Sequence, residues 1–274
     1  MFDFFLELSP LWQALIAGTF TWLLTAIGAT AVFFKSHFSE RSSDVMMGFA
    51  AGVMIAASFW SLLSPAIEIL EFRNSVAWLG VALGFLAGAA FLRIADKLMP
   101  HLHPGFMELS AAEGPHTEWR RSTLLLSAMT IHNIPEGAAL GIAFGALAHS
   151  TDLIAASSIS GAVALTLGIG LQNVPEGLAV AMPLRRMGRS KGRAFFFGQA
   201  SALVEPVAAV AGAFLVIQTA WLLPYALAFA AGAMIFVAVE ELIPESQSHG
   251  NTDLATMSTI VGFTVMMCLD VGLG

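Results

Sequence analysis

Residues 122–147 read STLLLSAMTIHNIPEGAALGIAFGAL. Leucine, isoleucine, alanine and glycine fill both ends of this run. It is long enough to cross the hydrocarbon core of a bilayer as a helix, which takes about 20 residues. A barrel strand would need only about 10, with strict alternation, and none is present. In the middle stand His132, Asn133, Pro135 and Glu136. Polar and charged side chains at such depth are expensive and mark a working site. The run therefore predicts a membrane helix built around a polar patch.

The rest of the chain agrees. Of 274 residues, 57% are hydrophobic and 11% are charged, with a mean hydropathy of +0.78. Soluble domains carry roughly 25% charged residues, so a water-soluble fold is excluded, as are disordered and fibrous chains. Further apolar runs of spanning length lie at about 11–34, 45–70, 76–96, 153–184, 194–217, 220–243 and 254–273, making eight with 122–147. We read an all-α polytopic membrane protein, one transmembrane domain over 1–274. A polar, His-bearing loop at about 97–121 is too short to fold alone. The acidic start Met-Phe-Asp-Phe-Phe-Leu-Glu lacks a basic region, which argues against a cleaved signal peptide. A single cysteine, Cys268, excludes a disulfide framework and a thiolate metal site. A net charge of -7 argues against a nucleic-acid partner, which needs a basic surface.

Charge sets the orientation. With eight spans threaded alternately, Lys35, Arg41, Arg93, Lys97, Arg120, Arg121, Arg185, Arg186, Arg189, Lys191 and Arg193 fall on one side and only Arg73 on the other. The positive-inside rule makes that side cytoplasmic and puts both termini outside. Trp12, Trp78 and Trp221 then lie near the outer interface, where an aromatic belt belongs.

The polar patch is written twice. His132-Asn133-Ile134-Pro135-Glu136-Gly137 is followed by Gln172-Asn173-Val174-Pro175-Glu176-Gly177, and Glu205-Pro206 lies in the next span. In each copy a ligand-capable side chain precedes a glutamate by four residues, so both share one helix face. The prolines free the carbonyls of Ile131 and Leu171 and predict kinks. Irregular backbone at this depth is tolerated where it lines a cavity buried in protein. The two patches lie on oppositely directed spans at similar depth, as in an inverted repeat with its site at the interface.

Imidazole and carboxylate together suit borderline divalent cations: Zn²⁺, with Fe²⁺, Mn²⁺ and Cd²⁺ as competitors. A doubly charged ion also neutralises two buried carboxylates. Ca²⁺ has no need of a histidine, and no organic cofactor is called for. A proton relay through the same His and Glu residues is the rival reading. An intramembrane metal-dependent hydrolase is the alternative from a different class, but it needs a pair such as His-Glu-x-x-His. His132 stands alone within the spans. At the cytoplasmic face Asp96, His101, His103, Glu240 and Glu241 form an acidic, His-bearing mouth, and Glu68 and Glu71 stand at the outer end of the second span.

The paired motifs, Glu205-Pro206 after them, Gly48-Phe49-Ala50-Ala51-Gly52 and Glu-Glu-Leu-Ile-Pro-Glu at 240–245 resemble the ZIP (Zrt-, Irt-like) family of divalent metal transporters, nearest its GufA-like bacterial branch. The resemblance covers nearly the whole chain. It implies an inverted-repeat ZIP-type bundle of eight helices with outer termini in the cell membrane, importing Zn²⁺ by elevator-like alternating access. It also implies a binuclear site. One ion would be held by Met54, His132, Gln172 and Glu176, and Met54 enters on the resemblance alone. The other would be held by Asn133, Glu136, Asn173, Glu176 and Glu205, with Glu176 and Glu205 bridging. An amide stands at Asn173 where some family members carry Asp, so the second site has one charge fewer. The resemblance reads Asp96, His101, His103, Glu240 and Glu241 as a metal exit. The bilayer and divalent ions are the implied partners, with a second copy of the chain as a candidate.

Overall fold

A computed structural model describes residues 2–34, 39–73, 75–100, 115, 121–149 and 158–273. Among these there is no strand. After a short N-terminal helix, seven helices are long and apolar enough to cross a membrane. They are α1 (Pro10–Phe34), α2 (Glu40–Phe72), α3 (Ala77–Leu98), α5 (Ile159–Arg186), α6 (Lys191–Gln218), α7 (Ala220–Ser246) and α8 (Thr252–Leu273). Between α3 and α5 runs α4, Arg121–Ala146, which has 26 residues. It is as long as the others, but His132, Asn133, Pro135 and Glu136 dilute its hydropathy. It tolerates them because most of its side chains are buried in protein. In the apolar stretch of α5, 72% of residues are buried, against 22% in α3 and in α8. The polar patches thus sit on inner helices, and the outer ones turn apolar faces outward. Trp12, Trp78 and Trp221 are 58%, 73% and 66% exposed.

The prolines act in two ways. Pro135 and Pro175 lie inside α4 and α5, which continue through them as helix. In α2 and α7 the backbone widens into a π-helical turn before the proline, at Ser58–Leu63 ahead of Pro65 and at Ala238–Leu242 ahead of Pro244. Widening relieves the clash between the ring and the carbonyl four residues back. In α6 a 3-10 turn at Ser201–Leu203 restarts the helix at Val204, which leaves Glu205 in a helical first turn. A carboxylate is favoured there by the helix dipole.

Close packing joins the helices in four pairs, each with a glycine on both sides. A Cβ on Gly52 of α2 would lie 1.9 Å from the Thr259 carbonyl oxygen of α8, and one on Gly262 2.1 Å from that of Phe49. Gly88 of α3 and Gly232 of α7 meet the carbonyls of Phe229 and Phe85, each at 1.9 Å. Gly28 of α1 and Gly177 of α5 meet Val174 and Thr25, each at 2.0 Å. Gly141 of α4 meets Ala209 of α6 at 2.0 Å, and Gly212 answers against Ala138 at 2.8 Å. Small residues allow membrane helices this approach, which supplies the packing that hydrophobicity cannot supply between helices in lipid. The helices α1, α4, α5 and α6 form one group and α2, α3, α7 and α8 another. Where the groups touch, along α2–α5, α4–α7 and α5–α8, the glycine in contact is Gly168, and it meets the flexible side chain of Met266.

The turn from α7 into α8, with Gly250 at φ 80°, is fastened to α2. Buried Asp44 accepts hydrogen bonds from His249 Nδ1 and Asn251 Nδ2, both at 2.8 Å. Asp44→Ala leaves both donors without their acceptor. The expected cost is about 2 kcal/mol, the worth of hydrogen bonds to a charged group. It is read as a lower melting temperature of the solubilised protein and faster amide exchange across 247–253.

Candidate metal centre

Helical spacing delivers the centre. His132 and Glu136 lie one turn apart on α4, and Gln172 and Glu176 repeat that spacing on α5. Asn133 and Asn173 follow on the adjoining face, and α6 contributes Glu205 at its restart. All seven side chains are at most 4% exposed. Gly137 allows α4 to reach α6, since a Cβ there would meet the Glu205 carbonyl oxygen at 2.5 Å.

The amides hold the carboxylates. Gln172 Nε2 donates to Glu136 Oε1 at 2.7 Å. Asn173 Nδ2 donates to Glu205 Oε1 and Oε2 at 2.9 and 3.0 Å, and to the Thr21 carbonyl at 3.2 Å. Glu205 Oε2 also accepts from the Thr21 hydroxyl of α1. His132 Nδ1 contacts Glu241 Oε2 of α7. Several buried polar atoms here have no hydrogen-bond partner: both amide atoms of Asn133, Glu136 Oε2, Gln172 Oε1 and Asn173 Oδ1. These are oxygen donors, apart from the Asn133 nitrogen, and they suit a hard or borderline cation.

The charge balance is one-sided. Among the described residues seven carboxylates are buried: Asp44, Asp96, Glu136, Glu176, Glu205, Glu241 and Asp270. No Lys or Arg appears among the buried side chains. Glu136, Glu176 and Glu205 are near enough to repel one another, and Glu176 also feels Glu241. Each buried ion costs several kcal/mol of hydration unless it is paired, and among the described residues no buried Lys or Arg is there to pair with them. Among the described residues no three His, Cys, Asp or Glu side chains close into a ready metal cage. The acids are spaced apart by amides, which bond to them.

Met54 is buried on α2 within the apolar core. Glu241 turns its side chain onto His132. Its neighbour Glu240 points the other way and pairs with Arg93 at 3.1 Å. Asp96 is buried near the end of α3. His101 and His103 lie outside the described residues. Glu68 is exposed and accepts from the Ser64 hydroxyl at 3.2 Å. Asp270 accepts from Ser61 at 2.7 Å, within the π-helical turn of α2.

A family model described as "ZIP Zinc transporter" matches residues 107–270. The zinc transporter ZIP11 of Bos taurus is 43% identical over 97% of this chain and 98% of its own length. The zinc transporter GufA of Myxococcus xanthus is 38% identical over 95% and 97%. The zinc transporter ZupT of Streptococcus mutans is 31% identical over 93% and 96%.

The chain belongs to the ZIP zinc transporter family.

ZIP proteins are transporters, so Zn²⁺ is here cargo crossing a bilayer. The hydrolase reading is therefore not favoured. Thr21 and Glu241 are the centre residues that the motifs did not announce. A buried threonine in an apolar run signals little by itself. Glu241 sits beside an identical residue, and sequence does not say which of the two turns inward.

Proposed function

We propose that this ZIP chain imports Zn²⁺ into the cytoplasm through two adjoining mid-membrane sites. The observation that carries this is the central group of buried carboxylates with, among the described residues, one imidazole and no buried Lys or Arg. A divalent ion supplies the missing charge. The first site comprises Met54, His132, Gln172 and Glu176, and the second Asn133, Glu136, Asn173, Glu176 and Glu205. The bonds support the grouping, since Gln172–Glu136 ties the first set to the second and Asn173–Glu205 ties two members of the second. In the empty carrier these amides stabilise the acids, and an arriving ion replaces them. That exchange keeps binding moderate and lets the ion leave. Fe²⁺, Mn²⁺ and Cd²⁺ compete for the same donors.

Alternating access runs by one helix group sliding against the other. In support, backbone-to-backbone glycine contacts lie within the groups, and a pliable methionine lies between them. We place the chain as one domain, 1–274, in the cell membrane, with α4 as the fourth of eight spans and both termini outside. The basic residues support that orientation. Glu68 lies at the entrance. Asp96, His101, His103 and Glu240 serve the exit, with Glu241 as the link from His132.

Radioactive zinc uptake by proteoliposomes, with competing divalent ions and with and without a proton gradient, tests the proposal. Saturable accumulation that Cd²⁺ suppresses is expected. Absence of zinc accumulation, or solute-driven currents in a protein that binds no metal, would refute it.

A further inference from the structure

Thr21 of α1 is outside the ligand sets above, yet its hydroxyl is bonded to Glu205. The residue is fully buried. A second acceptor is in reach of the same hydroxyl, the Gly18 carbonyl oxygen at 3.1 Å. A hydroxyl carries one hydrogen, so it serves these two acceptors alternately. The closeness of α1 is built in, because a Cβ on Gly18 would lie 2.8 Å from Pro206 Cα and 3.1 Å from the Glu205 carbonyl oxygen. Asn173 braces the arrangement from α5, donating both to the Glu205 carboxylate and to the Thr21 carbonyl.

We infer that the Thr21 hydroxyl is a positioning group that competes with the incoming cation for Glu205 and so sets how tightly the second ion is held. This rests on Glu205 being a ligand, as proposed above. Without an ion, the hydroxyl hydrogen points at Oε2, the nearer of its two acceptors. A cation at that carboxylate needs the same lone pairs and repels the hydrogen. The hydroxyl then rotates about its C–O bond and donates to the neutral Gly18 carbonyl. No covalent bond breaks and no proton leaves the threonine. The trade of a stronger bond for a weaker one biases Glu205 against the ion. A transport site needs such a bias, since an ion held too well does not leave.

The test uses the full-length protein, purified and reconstituted, as native, Thr21→Val, Thr21→Ser and Glu205→Gln. Valine keeps the shape and removes the hydroxyl. Thr21→Val is expected to tighten equilibrium zinc binding on the order of tenfold, the size of one buried hydrogen bond. It should lower both KM and the maximal uptake rate. Thr21→Ser is expected to restore both. Unchanged or weakened zinc binding in Thr21→Val overturns the inference. So does a lower maximal rate at unchanged KM, which is the mark of damaged structure alone. Glu205→Gln is expected to weaken zinc binding. Native affinity in that variant means the assignment of Glu205 as a ligand has failed. If Glu205→Gln weakens binding and Thr21→Val changes nothing, only the threonine inference falls.

Discussion

Glu176→Ala is expected to abolish zinc uptake, by more than about a hundredfold, in a protein that still inserts and folds. Residues that merely orient a metal's ligands are worth about 10–100-fold in affinity or activity. Glu176 is assigned as a ligand shared by both ions, so its loss exceeds that range. The fold survives for an electrostatic reason. Glu176 is 3% exposed and is repelled by Glu205 and Glu241. Removing one of several crowded acids relieves the empty centre and leaves a void the size of the missing methylene and carboxyl. The melting temperature of the metal-free variant is therefore expected to hold or rise, while the stabilisation that added zinc gives the native protein disappears. Uptake of radioactive zinc and thermal melts with and without zinc read the two halves separately. Substantial uptake by the variant contradicts the assignment.

Gly52→Ala is expected to deplete folded protein, though it adds one methyl group. That methyl would sit 1.9 Å from the Thr259 carbonyl oxygen and 2.7 Å from the Phe263 nitrogen. Both are backbone atoms, so no side chain can turn aside, and α2 and α8 must move apart along their whole crossing. Overpacking a core costs about 1–3 kcal/mol when side chains adjust. Here the cost is expected above that range, because Gly262 is pressed equally close from the other side. Gly192→Ala is the control. Nothing lies within 4 Å of a Cβ there, and alanine favours the start of α6 by up to about 1 kcal/mol. Size-exclusion profiles and melting temperatures of the solubilised variants should separate the two. A native melting temperature for Gly52→Ala would mean that α2 and α8 are not held this closely.

The helical membrane character was legible because it is carried by long stretches. The apolar run 76–96 is the helix Ala77–Leu98. The paired motifs were legible because charge is rare at bilayer depth, so His132, Glu136, Gln172 and Glu176 stand out against alanine and leucine. Hidden features depend on local backbone form. Pro65 and Pro244 announce a disturbance, but whether the helix kinks or widens is settled by neighbours distant in sequence. Successive helical residues point about 100° apart, so Glu240 and Glu241 face different neighbours with identical chemistry. Which of them meets Arg93 and which meets His132 depends on the widened turn at Ala238–Leu242. Thr21 was hidden for the opposite reason, since one hydroxyl in α1 hardly alters the hydropathy. Even α4, whose polar patch announced the site, pays for it in hydropathy.

The contact between His132 and Glu241 joins α4 to α7, and so fastens one set of helices to the other. A shift of one helical turn, about 5.4 Å, would pull imidazole and carboxylate apart. In the sliding proposed above, the clasp belongs to one end of the stroke only. With His132 as the proposed ligand, cargo that claims the imidazole loosens the same clasp, which would make loading the carrier and unlocking it a single event.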